Sequence, residues 1–402
     1  MADLDPTVGA LGDVDAATWD ALAHPSLYLS HAWLRARSRT IKGEQRFVLV
    51  SAPDGEPLLG APGYLVGGSS HPGYDPARVL QVDDLPDEEV AHEPGGARAL
   101  DLLRATLRER GGELHPSLVM AAPGRSGGVG YGAELDPDER AAALRVALDA
   151  LDRQAVADGA RSICWLYVMS GEDDVLPAVL REHGYLGVVV DAECYLPVAW
   201  DSFDGYLAAF NSQRRKKIRH EMRALSSAGA VVEEHGADAL GPRLATLELQ
   251  WRAKYGRTPA LDDVLADYEE LRTHFAKGLR VFVASLDGRP IGFTTFLEQG
   301  DVWYSRFGGF DYSAGNLFLY FNLLFYHPVR AAIDHGVRCV RYSLKSYRAK
   351  HSRGCSLRNV LAYVRLPQEI GEQLRGPLDL VDRTQRRRFA EIDGSPVLRT
   401  RT

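Results

Sequence analysis

The densest charge in the chain is Arg214-Arg215-Lys216-Lys217-Ile218-Arg219-His220. On a helix, Arg214, Lys217 and Ile218 share one face, and Arg215 and Arg219 share the neighbouring one. Guanidinium forks bind phosphate oxygens in pairs, so the run reads as a clamp for phosphates. The bland alternative is a solvated helix face, which is what most charge runs are. A second basic cluster, Lys345, Arg348, Lys350, His351 and Arg353 with Tyr347 among them, follows the strand-like CVRYSL (339–344), and no acidic residue lies between Arg341 and Arg365. Open α/β sheets place their sites where buried strands end, so this loop is a candidate site. In VWYSRFGG (302–309), Arg306 interrupts an apolar strand beside Tyr304. A cation there needs an anionic partner, either a protein carboxylate or a substrate. Asn316, Tyr320 and Asn322 sit at the start of a long apolar segment, where Tyr320 could pass a proton to a leaving group or be a core tyrosine with a satisfied hydroxyl.

Other chemistries have no sequence support. The chain lacks a Ser/His/Asp order, HExxH, a Walker loop and GxGxxG. Its four cysteines, Cys164, Cys194, Cys339 and Cys355, lack CxxC spacing, which argues against a zinc site or a disulfide framework, so no metal is expected.

The elements that would position these residues occur in two similar series. RFVLVSA and PLLGAPGYLV are joined by Asp54-Gly55, and RVFVASL and PIGFTTFLE by Asp287-Gly288, each a hairpin signal. After the first pair, the Gly- and Pro-rich stretch 67–96 reads as a long loop. A helix at about 97–110, a strand at 117–122 and a Gly-rich loop at 124–132 follow. Asp136-Pro137-Asp138-Glu139 then opens a helix that runs to Asp158 and stops at Gly159, before the strand SICWLYVM. The second series has the strand 302–309, a helix over 315–335 and the strand 339–344. ADGARSICWLYV (157–168) parallels DHGVRCVRYSLK (334–345). The repeated order implies two α+β domains of α/β/α type with one shared fold. Between them, 202–229, 238–256 and 261–277 read as helices.

Of 402 residues, 45% are hydrophobic and 25% charged, which fits a folded globular chain. The net charge is −15 over residues 1–200 and +8 over 201–402, so a polyanionic partner is expected on the second half. The acidic start lacks the features of a signal peptide, and no apolar stretch is long enough to span a bilayer. No membrane insertion and a cytoplasmic protein are therefore expected. Oligomeric state is not legible.

SFDGYLAAFNSQRRKKIRHEMRALSSAG (202–229) resembles a segment of the FemAB-like, or BioF2-like, acyltransferases of the GNAT superfamily. LYFNLLFYHPVRAAIDHGVRCVRYSLKSYRAKHSRGCSL resembles their helix, strand and Lys-x-x-Arg-Gly segment, and HPSLYLSHAWLRA is loosely similar to their opening. The resemblance implies two tandem GNAT-like domains, placed at 1–200 and 201–366, the latter with a basic helix at 211–227. Residues 367–402 are left as a tail that frays. It also implies an enzyme that forms an amide bond by acyl transfer to an amine. FDYSAGN (310–316) departs from the family's CoA-binding turn, so aminoacyl-tRNA is the expected donor, with acyl-CoA as the alternative and no tightly bound cofactor. The acceptor would be a small metabolite or a peptidoglycan precursor. Lys350, Arg353, Tyr304 and Tyr320 are the expected catalytic residues. Arg306, Lys345, Tyr347, Arg348 and Asn316 are expected to bind substrate, and Arg214, Arg215, Lys217 and Arg219 to hold tRNA phosphates. If Lys350 and Arg353 face solvent, they are expected to hold the donor phosphates or the oxyanion; the alternative is that Arg353 pairs with a carboxylate that fixes the loop. A nucleic-acid-binding protein with an inactive GNAT fold is the remote alternative, opposed by the charge of the first half.

Overall fold

The computed structural model describes residues 4–398 apart from Pro25 and Pro396, in two units: 1–192 with 358–391, and 193–357 with 392–402. The chain changes unit inside two strands, Leu186–Pro197 and Ser356–Arg365, and again at the end of the helix Gln368–Asp393. The expected boundaries at 200 and 366 are corrected accordingly. The supposed tail is corrected too. Gln368–Asp393 is one long helix, and Leu374, Leu378, Val381 and Phe389 along it are buried. Within the Arg-rich stretch, Arg387 is held by Glu93 at 2.7 Å and Arg386 by Asp382 at 2.7 Å. An apolar stripe anchors that helix and the arginines are paired, so the segment has a reason not to fray.

In unit 1, Ser117–Met120 and Ser162–Met169 run parallel, from Ser117 opposite Ser162 to Met120 opposite Trp165. Gly63–Val66 lies antiparallel to the first, and Ser356–Arg365 antiparallel to the second. The run PLLGAPGYLV is divided at Pro62, which has no N–H to give a ladder. Pro57–Ala61 belongs to a four-stranded sheet with Asp5–Gly9, Phe47–Ser51 and Gly130–Tyr131, whereas Gly63–Val66 joins the larger one. The helix Pro137–Ala157 covers the four-stranded sheet with Leu144, Leu148 and Leu151 buried. Asp136 and Glu139 close its first turn as a reciprocal cap. The expected loop over 67–96 contains three short helical turns, Pro72–Tyr74, Pro76–Leu80 and Asp87–Val90, the second capped by Asp75.

Beyond Met120 the two parallel strands of unit 1 part, and the chain fills the gap with its own loop. Gly127 donates its N–H to the Tyr167 carbonyl at 2.9 Å, and Ala122 donates to Ser126 at 2.7 Å. Gly127 lies so close that a Cβ there would sit 2.1 Å from the Leu166 carbonyl oxygen.

Unit 2 orders its strands Val231–His235, Leu279–Leu286, Arg289–Gln299, Val302–Phe310, Cys339–Leu344 and the end of Leu186–Pro197. All neighbours are antiparallel except Val302–Phe310 with Cys339–Leu344. Asp287-Gly288 forms a two-residue hairpin turn with φ of 51° and 72°, because Leu286 pairs with Arg289. The first hairpin differs: Ser51 pairs with Pro57 across a longer loop in which Gly55 is left-handed. The helix expected over 202–229 is two, Phe203–Ala208 and Ser212–Ser227, because Asn211 breaks the chain and caps the second. The helix Pro242–Ala253 packs on Val302–Phe310 across Gly309, where a Cβ would lie 2.4 Å from the Leu247 backbone.

Gly127→Ala should lower the melting temperature by several degrees in scanning calorimetry, since overpacking against rigid backbone costs about 1–3 kcal/mol.

Candidate active site

The parallel pair of unit 2 parts in the same way as that of unit 1. Val302, Trp303 and Tyr304 pair with Cys339, Val340 and Arg341, and the pairing stops there although the first strand continues to Phe310 and the second to Leu344. An irregularity on the other side assists the divergence. Between Thr294 and Phe296 the register shifts, and the Thr295 hydroxyl stands in for a ladder partner by donating to Phe307 O at 3.0 Å and accepting from Phe307 N at 3.2 Å.

Strands that part leave backbone carbonyls needing partners. Lys350 supplies them. Its ammonium donates to the carbonyls of Tyr342 (2.6 Å), Ser343 (3.1 Å) and Leu344 (2.8 Å), and the side chain is buried. This corrects the expectation of a solvent-facing Lys350 at an oxyanion, because its three donors are committed to the strand end. The backbone there is strained: Ser343, Lys345 and Ser346 have φ of 59°, 66° and 56°, three left-handed residues within four positions. Such conformations persist only where the surroundings enforce them, and they cluster at functional sites.

Arg353 is likewise buried, at 3% exposure. Its guanidinium meets both carboxylate oxygens of Glu221 at 3.2 and 3.0 Å, donates to Ser352 Oγ at 2.7 Å and lies 3.4 Å from the Phe321 ring centroid. The anion contact of Arg353 is therefore a protein carboxylate, the alternative that fixes the loop, and the expected substrate or oxyanion contact is corrected. Glu221 is on the basic helix Ser212–Ser227, so the ion pair ties that helix to the Lys-x-x-Arg-Gly segment. Tyr326 also donates to Glu221 and receives from Arg353, and Asn322 Nδ2 donates to the Glu221 carbonyl at 3.1 Å. Asn322 and Tyr326 bound a π-helical turn, Asn322–Tyr326, so the helix expected over 315–335 is interrupted. A π-turn has weaker packing than an α-turn and is common at functional sites. The Thr294 hydroxyl, which donates to Leu323 O at 2.5 Å, holds this one.

Tyr320 precedes that turn and interacts with the Ser346 side chain; burial pushes its phenol up to about 12. At neutral pH it is a proton donor. Tyr304 is buried instead, with its hydroxyl on Gln299 at 3.3 Å and its ring 5.1 Å from the Arg341 guanidinium, which Glu193 holds at 2.9 Å. That makes Tyr304 a packing group in the sheet. Arg306 and Lys345 are half-buried, Tyr347 is buried, and Arg348 and Asn316 are exposed. On the basic helix, Lys217 and Arg219 face solvent, Arg214 is half-buried, and Ile218 is buried. Arg215 caps the preceding helix by donating to Ala208 O and Phe210 O at 3.2 and 3.0 Å. Sequence reasoning missed Glu221 and Ser346, and it placed Asn322 at the start of a long helix without its partner Glu221. Glu221 had one legible signal: an acidic residue within a basic run, three positions after the apolar Ile218 and so on its face.

No group of three or more His, Cys, Asp or Glu side chains among the described residues could hold a metal. No helix among them is long and apolar enough to cross a membrane.

Removing Arg353 or Glu221 alone should cost about 3–5 kcal/mol, since each leaves a buried charge unpaired, while the double replacement by Met should cost far less than the sum. Urea denaturation of the four proteins in the cycle measures this.

With this geometry in view, the FemAB-like family, described by its role in peptidoglycan biosynthesis/recognition, matches residues 102–361. No curated protein matches. Among solved structures, FemX aligns at 12% identity with a TM-score of 0.59, over 92% of this chain and 100% of its own. A conserved protein of unknown function from Bacteroides thetaiotaomicron aligns at 14% identity with a TM-score of 0.53, over 91% and 100%. A tandem GNAT protein from the clavulanic acid biosynthesis pathway aligns at 13% identity with a TM-score of 0.46, over 90% and 98%.

Proposed function

Because the chain belongs to the FemAB-like family and shares a fold with FemX, we propose that it is an acyltransferase of two tandem GNAT-like domains and that it transfers an aminoacyl group from aminoacyl-tRNA to an amine, in unit 2. The observation that carries this reading is the parting of Val302–Phe310 from Cys339–Leu344, beside a basic helix locked to the same segment by Glu221 and Arg353. In unit 1 the corresponding gap is filled by the loop around Gly127. The acceptor is a peptidoglycan precursor or a small metabolite, and the cytosol, where charged tRNA resides, is the proposed location.

A pyrophosphate-bearing CoA donor would need a helix N-terminus presenting free N–H groups where Val302–Phe310 ends. Here Phe310 leads into a capped turn, Tyr312–Ala314, then Gly315 and a three-residue helix, Leu319–Phe321, which runs into the π-turn. That arrangement favours tRNA over acyl-CoA. The exposed Lys216, Lys217, Arg219 and Arg223 supply phosphate contacts of the salt-dependent kind that dominate nucleic-acid affinity.

In the reaction, the acceptor nitrogen attacks the ester carbonyl carbon, the C–N bond forms and the ester C–O bond breaks. The Tyr320 phenol gives its proton to the departing ribose oxygen, and the surplus ammonium proton, passed through the substrate's own basic groups or water, restores the phenol. Arg306, Lys345, Arg348 and Asn316 are the proposed substrate contacts. Lys350 and Arg353 act as positioning residues: they hold the strand end and the basic helix.

Labelled aminoacyl-tRNA should give an amide product that ribonuclease abolishes. Product made from CoA thioesters and indifferent to ribonuclease would refute the donor. Tyr320→Phe should slow single turnover by roughly 10²-fold, the lower end for losing a general acid, with about 1 kcal/mol lost in stability. Lys217→Glu with Arg219→Glu should raise KM for the tRNA donor and flatten its dependence on salt by about two phosphate contacts, while kcat at saturation holds.

A further inference from the structure

Unit 2 leaves a group of aromatic rings in water next to the candidate site. Tyr255 is 60% exposed and Tyr312 48%, and they are the two aromatic side chains among the exposed large hydrophobics of the described residues. They are neighbours in space although 57 positions apart in sequence. Trp251 lies 5.2 Å from Tyr255 and 6.2 Å from Phe310, ring centre to ring centre. Phe310 is 6.2 Å from Tyr312 and 5.8 Å from Tyr320. The rings thus form a continuous ladder from the proton-donating Tyr320 outward to Tyr255.

Cations accompany the exposed rungs. The Lys254 ammonium lies 4.2 Å from the Tyr312 ring centre, and Lys254 and Arg257 are both exposed. The nearest acid in sequence to Tyr312, Asp311, is occupied in its own turn, accepting from the Ser313 N–H at 2.9 Å and its hydroxyl at 2.5 Å. Local backbone geometry presents the group: Gly256, with φ of 70°, ends the helix Pro242–Ala253 and turns Tyr255 outward, and Asp311 caps the turn Tyr312–Ala314. Exposed rings flanked by exposed cations match the chemistry of unpaired nucleotides, whose bases stack on aromatic faces while their phosphates take the charges.

We propose that Tyr255 and Tyr312 stack the unpaired bases at the 3′ end of an RNA donor, with Lys254 and Arg257 on its phosphates. The inference rests on the RNA-donor reading above and assigns a surface that the reaction itself does not require. It places the last bases outside the site, and the ladder of Trp251, Phe310 and Tyr320 leads inward to the reacting ester.

The test is fluorescence anisotropy of a short, labelled single-stranded RNA ending in CCA, titrated with the full chain. Tyr255→Ala and Tyr312→Ala should each weaken binding by roughly ten-fold, the scale of one lost base–ring stack. Tyr255→Phe should bind as the native chain does, and Lys254→Gln should reduce the salt slope by about one contact. Melting temperatures should be unchanged, since the rings are exposed. RNA binding unaffected by either alanine replacement would overturn the assignment. So would calorimetric titration in which CoA, and no RNA, binds in a Tyr255-dependent way. Transfer from aminoacyl-tRNA at native KM in the alanine variants would overturn the surface and leave the donor reading intact. Ring-dependent RNA binding without any transfer would do the reverse.

Discussion

Glu221 and Arg353 are both removed from water, and each is tolerable there only because the other is present. Burying two charges is expensive, and apolar residues of the same volume would often give equal or greater stability. What the pair adds is register. Glu221 comes from the basic helix and Arg353 from the segment after the strand Cys339–Leu344, so their bidentate contact fixes one helix position against one loop position. Tyr326 and Asn322 complete the same carboxylate and carbonyl, so the π-turn is set by the same constraint. A helix that slipped by one residue would leave a carboxylate, a guanidinium, a phenol and an amide without partners.

Lys350 does complementary work on the backbone. Two parallel strands that part cannot satisfy one another, and the carbonyls of Tyr342, Ser343 and Leu344 would otherwise lack those partners. One ammonium with three donors answers three carbonyls and makes the divergence stable without a strand beside it. The left-handed residues Ser343, Lys345 and Ser346 sit on this clamp, which explains how such a backbone holds its shape.

Both units contain a parallel pair that parts, and they treat the gap differently. In unit 1 the chain fills it, with Gly127 against the Leu166 carbonyl so closely that no side chain fits. In unit 2 the gap is framed by strained backbone, a high-pKa phenol and a basic helix. The two units thus differ in what lies where a parallel pair ends.

Local physics made much of the fold legible from sequence. Asp136 and Glu139 close a reciprocal cap, Asp287-Gly288 turns a hairpin, and the apolar strand 162–169 is where its composition puts it, because caps, turns and periodicity depend on residues a few positions apart. The segments resembling FemAB-like proteins pointed to the family. What sequence could not assign was the partner of a buried charge. Arg353 and Glu221 are 132 positions apart, and a basic loop reads the same whether its cations meet a substrate or the protein itself. The strand Ser356–Arg365 and the helix Gln368–Asp393 also went unread, since their burial is set by unit 1, far earlier in the chain. Sequence by itself determined the locally encoded elements and the kind of chemistry. Only tertiary structure decided which cations are spent on holding the fold, because burial and pairing are properties of the space between segments.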